Sequence, residues 1–460
     1  MVTLSASIFK AYDIRGVIEH TLDANIARLI GRSFGRAALA KGERRVVIGR
    51  DGRLSGPILA ATLAEGLQSV GAEVIDLGVV HTPMVYFGTH VLGATSGIMV
   101  TGSHNPPDYN GFKMVLAGEA IHGPSIQALY QGCAGDDGSN AAIKGSACMS
   151  DLGAAYRQRI VDDVKLARPI KIAIDCGNGV AGAYAPELFR AMGAEVIELF
   201  CEVDGRFPNH HPDPADPENL QDLIRCLRET DAEIGLAFDG DGDRLGIVTK
   251  DGQIIFPDRQ LMLFAADVLK RHDNGLILHD VKCTRHLAPW IARHGGRSLM
   301  CKTGHSLVKA KLRETGAPLG GEMSGHIFFK DRWYGFDDGL YAGARMLEIL
   351  TREANPSALL NALPQSHSTP ELHVPMQEGE SHALIERLLM QAEFPDSDQV
   401  ITIDGLRVEY PDGFGLARAS NTTPVVVLRF EADSPLGLAR IQREFKRVIT
   451  AAKPDAVLPF

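Results

Sequence analysis

The sequence predicts an α/β protein that consists of three related α/β units and a separate α+β domain. Two observations carry this prediction: a strand–loop–helix–strand pattern occurs three times, and the texture of the chain changes after about residue 366. The length of 460 residues also exceeds a single hydrophobic core, since one domain commonly holds about 100–200 residues. We therefore expect domains at residues 1–150, 151–252, 253–365 and 366–460.

The repeated unit is clearest in the segments 44–78 and 169–200. Each runs from a β-branched strand through a glycine-containing loop into a helical stretch and a second strand, and both contain the pentapeptide GAEVI. A third segment, 276–305, follows the same order with weaker similarity. Short apolar strands that alternate with helical patterns favour mixed or mainly parallel sheets covered by helices. Because loops at the carboxyl ends of such strands bind ligands, we expect the functional residues there.

The last part of the chain has a different pattern. The stretches ELHVP, VITIDGLRVEY, GFGLARAS and PVVVLRFEA follow one another as hairpin-like strands, with the helical patterns HALIERLLMQAE and LGLARIQREFKRVITAA among and after them. Strands that pair in succession are typical of an antiparallel sheet. This segment is therefore predicted to be the α+β domain.

Composition excludes several classes of function. A formal net charge of −10 argues against nucleic acid or an anionic membrane as the main partner, because such partners require a basic surface. The start of the sequence lacks a basic region followed by an apolar core, and no run of about 18 apolar residues follows, so we expect a cytoplasmic protein. The seven cysteines are widely spaced without a CxxC pair, which indicates neither a disulfide framework nor a zinc site.

An acidic loop follows the apolar strand in GLAFDGDGDRLGIV, residues 235–248, and contains Asp239, Asp241 and Asp243. Three carboxylates this close repel one another unless a cation lies among them. Ligand sets of oxygen alone suit Mg²⁺. A calcium EF-hand fits poorly, since Lys250 stands where that loop needs glutamate, and an acidic solvated turn does not explain the apolar strand. The loop therefore predicts a magnesium site.

A stiff serine loop occupies residues 101–113, TGSHNPPDYNGFK. The prolines after Ser103 fix φ and restrict their neighbours, so the hydroxyl is held in few conformations. The surroundings contain no G-x-S-x-G elbow, and an esterase nucleophile is unsupported. His104 either takes the serine proton or hydrogen-bonds the loop, and adjacency in sequence does not decide between these roles. A serine that accepts a phosphoryl group needs a metal and cations, which the acidic loop, Arg244 and Lys113 offer.

Two further loops carry polar side chains suited to a sugar phosphate. In GGEMSGHIFF, residues 320–329, the residues Glu322, Ser324 and His326 alternate and can present hydrogen-bonding groups to one face of a polyol. The loop GFGLARASNTTP, residues 413–424, supplies one fixed cation and several donors that match a dianionic phosphate. These are Arg418, Ser420, Asn421, Thr422 and Thr423. A generic surface turn is the alternative for each loop.

The segment GNGVAG, residues 177–182, formally matches a dinucleotide fingerprint, with Glu202 at a suitable distance for a ribose. A glycine-rich turn is also what any strand-to-helix crossover of this repeat needs. The corresponding loop of the first copy, GRDGRLSG, breaks the fingerprint. A structural role is therefore favoured over NAD binding.

Together these motifs resemble the α-D-phosphohexomutase family, and most closely its bacterial phosphomannomutase/phosphoglucomutase group. The resemblance spans the chain and rests on AYDIRG (11–16), TGSHNPPDYNGFK, DGDGDR, GEMSGH and RASNTTP, in that family's order and spacing. It implies four domains around a central cleft, the first three being related mixed α/β sandwiches. It also implies reversible phosphoryl transfer between hexose 1-phosphates and hexose 6-phosphates of mannose, glucose or both.

The resemblance further implies roles for individual residues. Ser103 would be the phosphoserine and would hold one Mg²⁺ together with the three aspartates, and Arg244 and Lys113 would lie beside the transferred group. Glu322 and Ser324 would read sugar hydroxyls, and the residues around Arg418 would grip the phosphate that does not react. The further cleft positions are Tyr12, Arg15, Lys282, His305 and His326. The proton acceptor is left open among His104, Lys113, His305 and His326.

The implied intermediate is a 1,6-bisphosphate of glucose or mannose, which would also act as the activator. We expect a monomer whose partners are small hexose phosphates. The alternatives are a phosphoglucosamine mutase, a phosphoserine-dependent sugar phosphatase, which would pass the group to water, and a non-catalytic sugar-phosphate sensor.

Overall fold

The computed structural model describes residues 2–377, 379–421 and 423–460, and within these residues it contains four separate β-sheets. The strands of these sheets lie within residues 14–149, 170–255, 276–329 and 367–432. Each sheet is therefore built from one continuous part of the chain, as expected for four successive domains.

The first sheet is mixed. Its strands are β1 (Ile14–Val17), β2 (Arg45–Arg50), β3 (Glu73–Val79), β4 (Ser96–Val100), β5 (Tyr109–Leu116), β6 (Glu119–Ala120) and β7 (Ala147–Met149). They pair in the order β1-β5-β4-β2-β3-β7, with β6 beside β5. The helices are α1 (Ala24–Ala40), α2 (Gly56–Ser69), α3 (Thr82–Val91) and α4 (Pro124–Ala134). Helix α1 begins after Asp23, whose carboxylate accepts a hydrogen bond from the backbone N–H of Ile26, a favourable N-cap.

The second sheet follows the same plan. Its strands are β8 (Ile170–Asp175), β9 (Ala194–Leu199), β10 (Ile234–Phe238), β11 (Leu245–Thr249) and β12 (Ile254–Ile255). They pair in the order β12-β11-β10-β8-β9. The helices of this part are α5 (Gly153–Asp163), α6 (Ala185–Ala191) and α7 (Gln221–Glu229).

The third sheet is smaller. Its strands are β13 (Leu276–Asp280), β14 (Arg297–Cys301), β15 (Leu319–Gly321) and β16 (Ile327–Phe329), in the order β14-β13-β15-β16. Its helices are α8 (Pro257–Leu269), α9 (Leu287–Arg293), α10 (His305–Thr315), α11 (Gly339–Leu350) and α12 (Pro356–Asn361). Helix α11 contacts β16 of this sheet and α8, and it also packs against β10 and β11 of the second sheet.

The first three sheets share one unit. A strand–helix–strand segment gives two parallel neighbours, a third strand pairs parallel with the first, and a fourth pairs antiparallel with the third. The units are β2 to β5, β8 to β11 and β13 to β16. Their strand–helix–strand segments coincide with the predicted repeats at 44–78, 169–200 and 276–305, so the prediction of three related α/β units is confirmed.

The fourth sheet is antiparallel. Its strands are β17 (His367–Ser368), β18 (Leu372–Pro375), β19 (Gln399–Ile401), β20 (Leu406–Tyr410), β21 (Gly413–Ala419) and β22 (Val425–Ala432). Strands β19 to β22 pair in succession, and β17 and β18 both pair with β22. Helices α13 (Glu380–Gln391) and α14 (Pro435–Ala452) pack on β21. The predicted α+β class of this domain is confirmed.

The hydrophobic core connects the first three domains more closely than the fourth. One large cluster contains Phe87 of α3, Phe189 of α6 and Phe264 of α8, and burial of such side chains is the main driving force for packing. The fourth domain has a cluster of its own. A small apolar contact that includes Val281 and Phe414 joins it to the third domain.

Two buried arginines also hold the fourth domain to the third. Arg407 of β20 donates hydrogen bonds of 2.5 Å and 2.7 Å to the carbonyl oxygens of Val281 and Cys283. Arg429 of β22 donates to the carbonyl oxygen of Lys282 between them. Three successive peptide groups of the third domain are thus fastened to the fourth.

Two properties of the chain concern membranes and cysteines. Among the described residues no helix combines the length and the hydropathy needed to cross a membrane. No disulfide bond joins the cysteines, all of which lie in the part of the chain that the structure describes.

Candidate active site

The functional loops predicted in the first three domains occupy the same position in the shared unit. Each connects the third strand to the antiparallel fourth strand: residues 101–108 follow β4, residues 239–244 follow β10, and residues 322–326 follow β15. The loop at 420–424 connects β21 to β22. Since each loop lies at the carboxyl end of a buried strand, the common topology places all three at equivalent edges of their sheets.

Ser103 lies in the left-handed region, with a φ of +51° that few residues other than glycine adopt. Its backbone N–H donates to Thr101 Oγ1 at 2.8 Å, and its side chain is 1% exposed. Gly102 leaves room for this turn, because a Cβ at that position would lie 2.4 Å from Cζ of Arg53. The hydroxyl is therefore held at one buried point.

Arg53, which follows β2, binds the backbone of the serine loop. Its guanidinium donates hydrogen bonds to four backbone carbonyl oxygens of the loop. The acceptors are Ser103 at 2.8 Å, Asn105 at 2.6 Å, Pro106 at 2.5 Å and Tyr109 at 2.9 Å. Loss of such a donor is costly where the acceptor is buried, as in the bond to Ser103, whereas the carbonyl oxygen of Pro106 also accepts from the backbone N–H of Tyr109. Sequence reasoning missed this residue.

Asp51 completes this support. Its carboxylate lies 3.3 Å from Nε of Arg53 and accepts a 2.7 Å hydrogen bond from Oγ1 of Thr101, the residue that binds the backbone of Ser103. An acid and an arginine directly after a buried strand, in RDGR, are the sequence signal that could have identified the pair.

The three aspartates of the acidic loop are completely buried. Carboxylate oxygens of Asp239, Asp241 and Asp243 all lie within 4.8 Å of one another. Oδ1 of Asp241 and Oδ1 of Asp243 are buried and have no hydrogen-bond partner among the described residues. Burial and then the charges of the other two aspartates raise the pKa of Asp239 well above its usual value.

This geometry fits a divalent cation. Orphaned carboxylate oxygens in an all-oxygen cluster are the ligands that Mg²⁺ prefers. Oγ of Ser103 lies 3.3 Å from Oδ2 of Asp239, so the serine belongs to the same cluster. The acidic loop therefore could hold a metal directly beside the serine hydroxyl.

Lys113 of β5 supplies a buried cation to the acidic loop. Its Nζ donates to Oδ2 of Asp241 at 2.7 Å and to Oδ2 of Asp243 at 2.5 Å. Burial alone would lower the pKa of Lys113, but the two aspartates raise it above its usual value. The ammonium group is therefore charged at neutral pH and offsets the charge of the two carboxylates.

His104 lies beside the serine hydroxyl, with Nδ1 3.2 Å from Oγ of Ser103. Burial lowers the pKa of His104 well below its usual value, and the charges of Arg244 and Arg15 lower it further. The ring is neutral at neutral pH and can exchange a proton with a nearby hydroxyl.

A short backbone bridge between Arg244 and His326 joins the acidic loop to the third loop. The side chains meet as well, since Nε of Arg244 donates a 3.0 Å hydrogen bond to Nε2 of His326. The same guanidinium nitrogen lies 3.8 Å from Oδ2 of Asp239. Arg244 is thus directed toward the serine and its neighbouring carboxylates.

Glu322 is buried at the base of the third loop. Its Oε1 accepts a 2.5 Å hydrogen bond from the backbone N–H of Gly304. Burial and then the charge of Asp280 raise the pKa of Glu322 to about 8. Ser324 is partly exposed. A protonated Glu322 can donate as well as accept, which suits recognition of a hydroxyl group.

Tyr12 and His305 meet next to this loop. Their ring centroids lie 5.0 Å apart in an edge-on arrangement, which brings the first domain against the third. The nearby Arg15 donates to Oδ2 of Asp13 at 2.7 Å and to Oδ1 of Asn105 at 2.8 Å, so it also contacts the serine loop.

The loop at 420–424 and the neighbouring Arg418 belong to the fourth domain, and the loop contacts the third. Arg418 is buried and donates a 3.0 Å hydrogen bond from Nε to Oδ2 of Asp404. Its Nη2 is buried and has no partner within the described part of the chain. Asn421 donates to the carbonyl oxygen of Thr303 at 3.3 Å, which closes the contact with the third domain.

The structure describes most of the other residues predicted to bind phosphate. Oγ of Ser420 and Oγ1 of Thr423 lie 3.0 Å apart. Thr422 lies outside the described residues. Lys282, on the loop after β13, is buried and donates a 2.6 Å hydrogen bond to Oε1 of Glu371. The third and the fourth domain thus each contribute a buried cation, Lys282 and Arg418 respectively.

The glycine-rich loop at 177–182 packs against protein. A Cβ at Gly182 would lie 2.1 Å from the carbonyl oxygen of Cys201. The close approach of two backbones explains the glycine, which supports the structural role favoured over a dinucleotide site.

A separate cavity of about 580 Å³ lies between the first and third domains and is lined by residues of α3, β5 and α10. None of the predicted site residues that the structure describes lines it. The cavity is therefore distinct from the cluster around Ser103.

Comparisons with known proteins agree with this architecture. Models of phosphoglucomutase/phosphomannomutase domains match the chain in order: α/β/α domain I at 6–137, domain II at 154–252, domain III at 256–367 and the C-terminal domain at 371–448. A phosphoglucomutase from Neisseria gonorrhoeae is 58% identical over 461 residues, covering 100% of both chains.

Two further relatives cover the same length. A phosphomannomutase/phosphoglucomutase from Pseudomonas aeruginosa is 53% identical over 459 residues, which is 100% of this chain and 98% of that protein. The crystal structure of a phosphoglucomutase/phosphomannomutase family protein from Burkholderia thailandensis matches with a TM-score of 0.94 and 62% identity, covering 100% of both chains.

Proposed function

The chain belongs to the phosphoglucomutase/phosphomannomutase family and is a hexose-phosphate mutase, and we propose that Ser103 carries the phosphoryl group that it transfers. The single observation that supports this role is the position of the serine hydroxyl. It is buried, it lies 3.2 Å from the neutral ring of His104, and it lies 3.3 Å from the carboxylate of Asp239. A reactive hydroxyl beside a cation site and a proton acceptor is suited to phosphoryl transfer.

The reaction has two balanced halves. In the first, the bond between phosphorus and Oγ of phosphorylated Ser103 breaks as phosphorus bonds to O6 of a hexose 1-phosphate or O1 of a hexose 6-phosphate. The hydroxyl proton of the sugar passes to a base in the cleft. In the second half the resulting 1,6-bisphosphate, turned end for end, returns its other phosphoryl group to Oγ, and the sugar oxygen regains a proton. Substrate is isomerised and the phosphoenzyme is restored.

The charged side chains serve this transfer directly. Arg244 and Lys113 balance negative charge on the phosphoryl oxygens. Asp239, Asp241 and Asp243, together with the serine phosphate, would hold one Mg²⁺, which when bound offsets the charge that develops on the transferred group. His104 is the residue best placed to hold a proton near Oγ. The 1,6-bisphosphate of glucose or mannose is the proposed activator, since it phosphorylates a serine that has lost its group.

Recognition of the substrate is assigned to the other two loops. We infer that Glu322 and Ser324 bind sugar hydroxyls and that Arg418, Ser420, Asn421, Thr422 and Thr423 bind the distant phosphate. Tyr12, Arg15, Lys282, His305 and His326 complete the cleft. Relatives named for glucose and for both sugars support activity on glucose and mannose alike. We propose that the protein is a monomer and that it is cytoplasmic.

The Ser103→Ala variant tests the central assignment. We expect turnover of glucose 1-phosphate, with Mg²⁺ and a trace of glucose 1,6-bisphosphate, to fall to background while the circular dichroism spectrum is unchanged. Ser125→Ala, on the surface of α4, is the matched control. Intact-mass measurement should find a phosphate on the parent and none on the Ser103 variant. Substantial turnover by the variant would disprove the role of the serine.

The same assay separates the competing functions. Release of inorganic phosphate without glucose 6-phosphate would indicate a phosphatase. Comparison of kcat/KM for the 1-phosphates of glucose, mannose and glucosamine distinguishes the proposed dual activity from a glucosamine-specific mutase. Ligand binding with no turnover by the parent would indicate a sensor.

A further inference from the structure

Asp337 is a completely buried carboxylate that the proposed reaction leaves without a role. It lies between β16 and α11, where its backbone bridges to Phe328. Its Oδ1 accepts a 2.8 Å hydrogen bond from Nζ of Lys309, and its Oδ2 lies 2.9 Å from Nδ1 of His326. A buried carboxylate is retained in the charged form only when cations or donors surround it.

Lys309 provides that charge compensation. Its ammonium group also lies 4.2 Å from the ring centroid of Tyr86 and 3.1 Å from Nδ1 of His305. Burial alone would raise the pKa of Asp337, but Lys309 and then His326 bring it well below its usual value. The carboxylate is therefore an anion that faces Nδ1 of His326.

The other ring nitrogen of His326, Nε2, contacts Arg244, which lies beside the reacting serine. Nε2 accepts the 3.0 Å hydrogen bond from Nε of Arg244, so Nε2 carries a lone pair rather than a hydrogen. A neutral imidazole with a free Nε2 carries its hydrogen on Nδ1. That nitrogen lies 2.9 Å from Oδ2 of Asp337 and 3.5 Å from Oδ1 of Asp243, so Asp337 is the nearer of two carboxylates beside it. The partner on one side of an imidazole commonly fixes the tautomer presented on the other.

Arg244 connects His326 to the serine hydroxyl. Its Nε lies 3.8 Å from Oδ2 of Asp239, and that oxygen lies 3.3 Å from Oγ of Ser103. Without a fixed acceptor at Nε2, the guanidinium loses one of the contacts that aim it. A misplacement of a charged group by about 1 Å can cost on the order of 100-fold in rate.

We propose that Asp337 is a positioning residue: it fixes the Nδ1–H tautomer of His326, whose Nε2 then holds Arg244 beside the phosphoryl group on Ser103. The inference rests on the proposed function of Ser103. Asp337 also binds Lys309, so the role proposed here is the part of its effect on kcat that requires the His326 ring.

A double-mutant cycle tests this path. In Asp337→Asn we expect kcat to fall about 10- to 100-fold, with KM changed less than about 3-fold, because the contact matters in transfer rather than in binding. In a His326→Gln background the same substitution should cost less than about 2-fold, since the ring that it orients is gone. An equal loss in both backgrounds, or a rise in KM with kcat intact, would overturn the proposal.

Asp338→Asn is the matched control. Asp338 is the adjacent buried carboxylate, but it binds the hydroxyl of Tyr156 and caps α11 instead of facing His326. We expect Asp338→Asn to lower kcat by the same factor in the parent and in the His326→Gln background. Coupling as strong as that of Asp337 would show that general disturbance of this region, and not the ring, explains the cycle.

A measurement on the unaltered protein avoids any failure of a variant to fold. In ¹⁵N-histidine-labelled protein, with His326→Gln used for assignment, the nitrogen shifts should report the Nδ1–H tautomer at His326. An Nε2–H tautomer or a doubly protonated ring would overturn the proposal. Because this readout needs no turnover, it stays informative even if Ser103 proves not to carry the phosphoryl group.

Discussion

The guanidinium of Arg53 donates a 2.8 Å hydrogen bond to the carbonyl oxygen of Ser103, 50 residues further along the chain. Three more carbonyl oxygens of the same loop share this one side chain. The strained backbone of Ser103 is therefore maintained by a residue that does not touch its hydroxyl. The position of this serine thus depends on the loop after β2, the strand that pairs with β4.

Replacement of Arg53 should damage both stability and activity. In Arg53→Met four carbonyl oxygens of the serine loop lose this donor, among them the buried bond to Ser103, so we expect a loss of about 3 kcal/mol in the free energy of unfolding. We also expect kcat to fall at least about 10-fold, because the hydroxyl is no longer held at one point. Urea denaturation and steady-state kinetics check the two effects. Arg28→Met, at an exposed ion pair on α1, is the control, and equal behaviour of the two variants would contradict the clamp.

Stability should depend on pH through Glu322. Burial and then Asp280 raise its pKa from 4.5 to about 8 in the folded protein, so between these values the folded state holds a proton that the unfolded state has released. The free energy of unfolding therefore falls as pH rises through this window. Between pH 5 and pH 8 the parent should lose at least about 1 kcal/mol relative to Glu322→Gln.

Denaturation of both proteins at the two pH values measures this difference. Glu314→Gln, on the exposed surface near the end of α10, should show the same pH dependence as the parent. A parent and a Glu322→Gln variant with parallel pH profiles would show that Glu322 ionises normally.

Arg418 should govern binding of the distant phosphate. Lysine retains the charge but not the planar pair of donors, so in Arg418→Lys we expect KM for glucose 1-phosphate to rise about 10- to 100-fold. We expect kcat to change less than about 3-fold, because the contact is present in both ground and transition states. Arg447→Lys, on the exposed face of α14, is the control. A fall in kcat with KM unchanged would place Arg418 outside this site.

The acidic loop should confer a requirement for a divalent cation. Chelation with EDTA should abolish turnover, and Mg²⁺ should restore it. In Asp241→Asn we expect the Mg²⁺ concentration for half activation to rise at least about 10-fold, since a carboxylate ligand is lost. Calorimetric titration with Mg²⁺ checks the affinity directly. Asp231→Asn removes an exposed carboxylate as the control, and an unchanged metal dependence in the Asp241 variant would contradict the site.

Much of the fold could be predicted because the local sequence patterns agree with the way the strands pair. The repeat at 276–305 is faint in sequence, yet β13, α9 and β14 form the same parallel unit as the stronger copies. The acidic and serine loops could be identified because each directly follows a buried strand. Their equivalence could not be predicted, since it requires the pairing of β4 with β5 and of β10 with β11.

The supporting residues were missed for a related reason. Arg53 reaches the serine loop, and Asp337 reaches His326, only after sheets from separate parts of the chain have formed. In sequence, Asp337 is one of two adjacent acids before an apolar helix, which indicates a helix cap and nothing more. Its neighbour Asp338 is that cap. Long-range partners of buried charges are set by packing, and local patterns carry no information on them.

Arg407 and Arg429 hold the fourth domain to the 281–283 peptides through buried bonds. At Thr303 the two domains meet through a 3.0 Å bond from its backbone N–H to Asp404 and a 3.3 Å bond from Asn421 to its carbonyl oxygen. Substrate must reach a serine that is 1% exposed, and we expect the fourth domain to turn about its fastening at 281–283 as substrate enters. Such a movement displaces a whole domain through solvent. We therefore expect hydrodynamic drag to oppose turnover, so that the viscosity of the surrounding medium affects the rate alongside the chemistry of phosphorus.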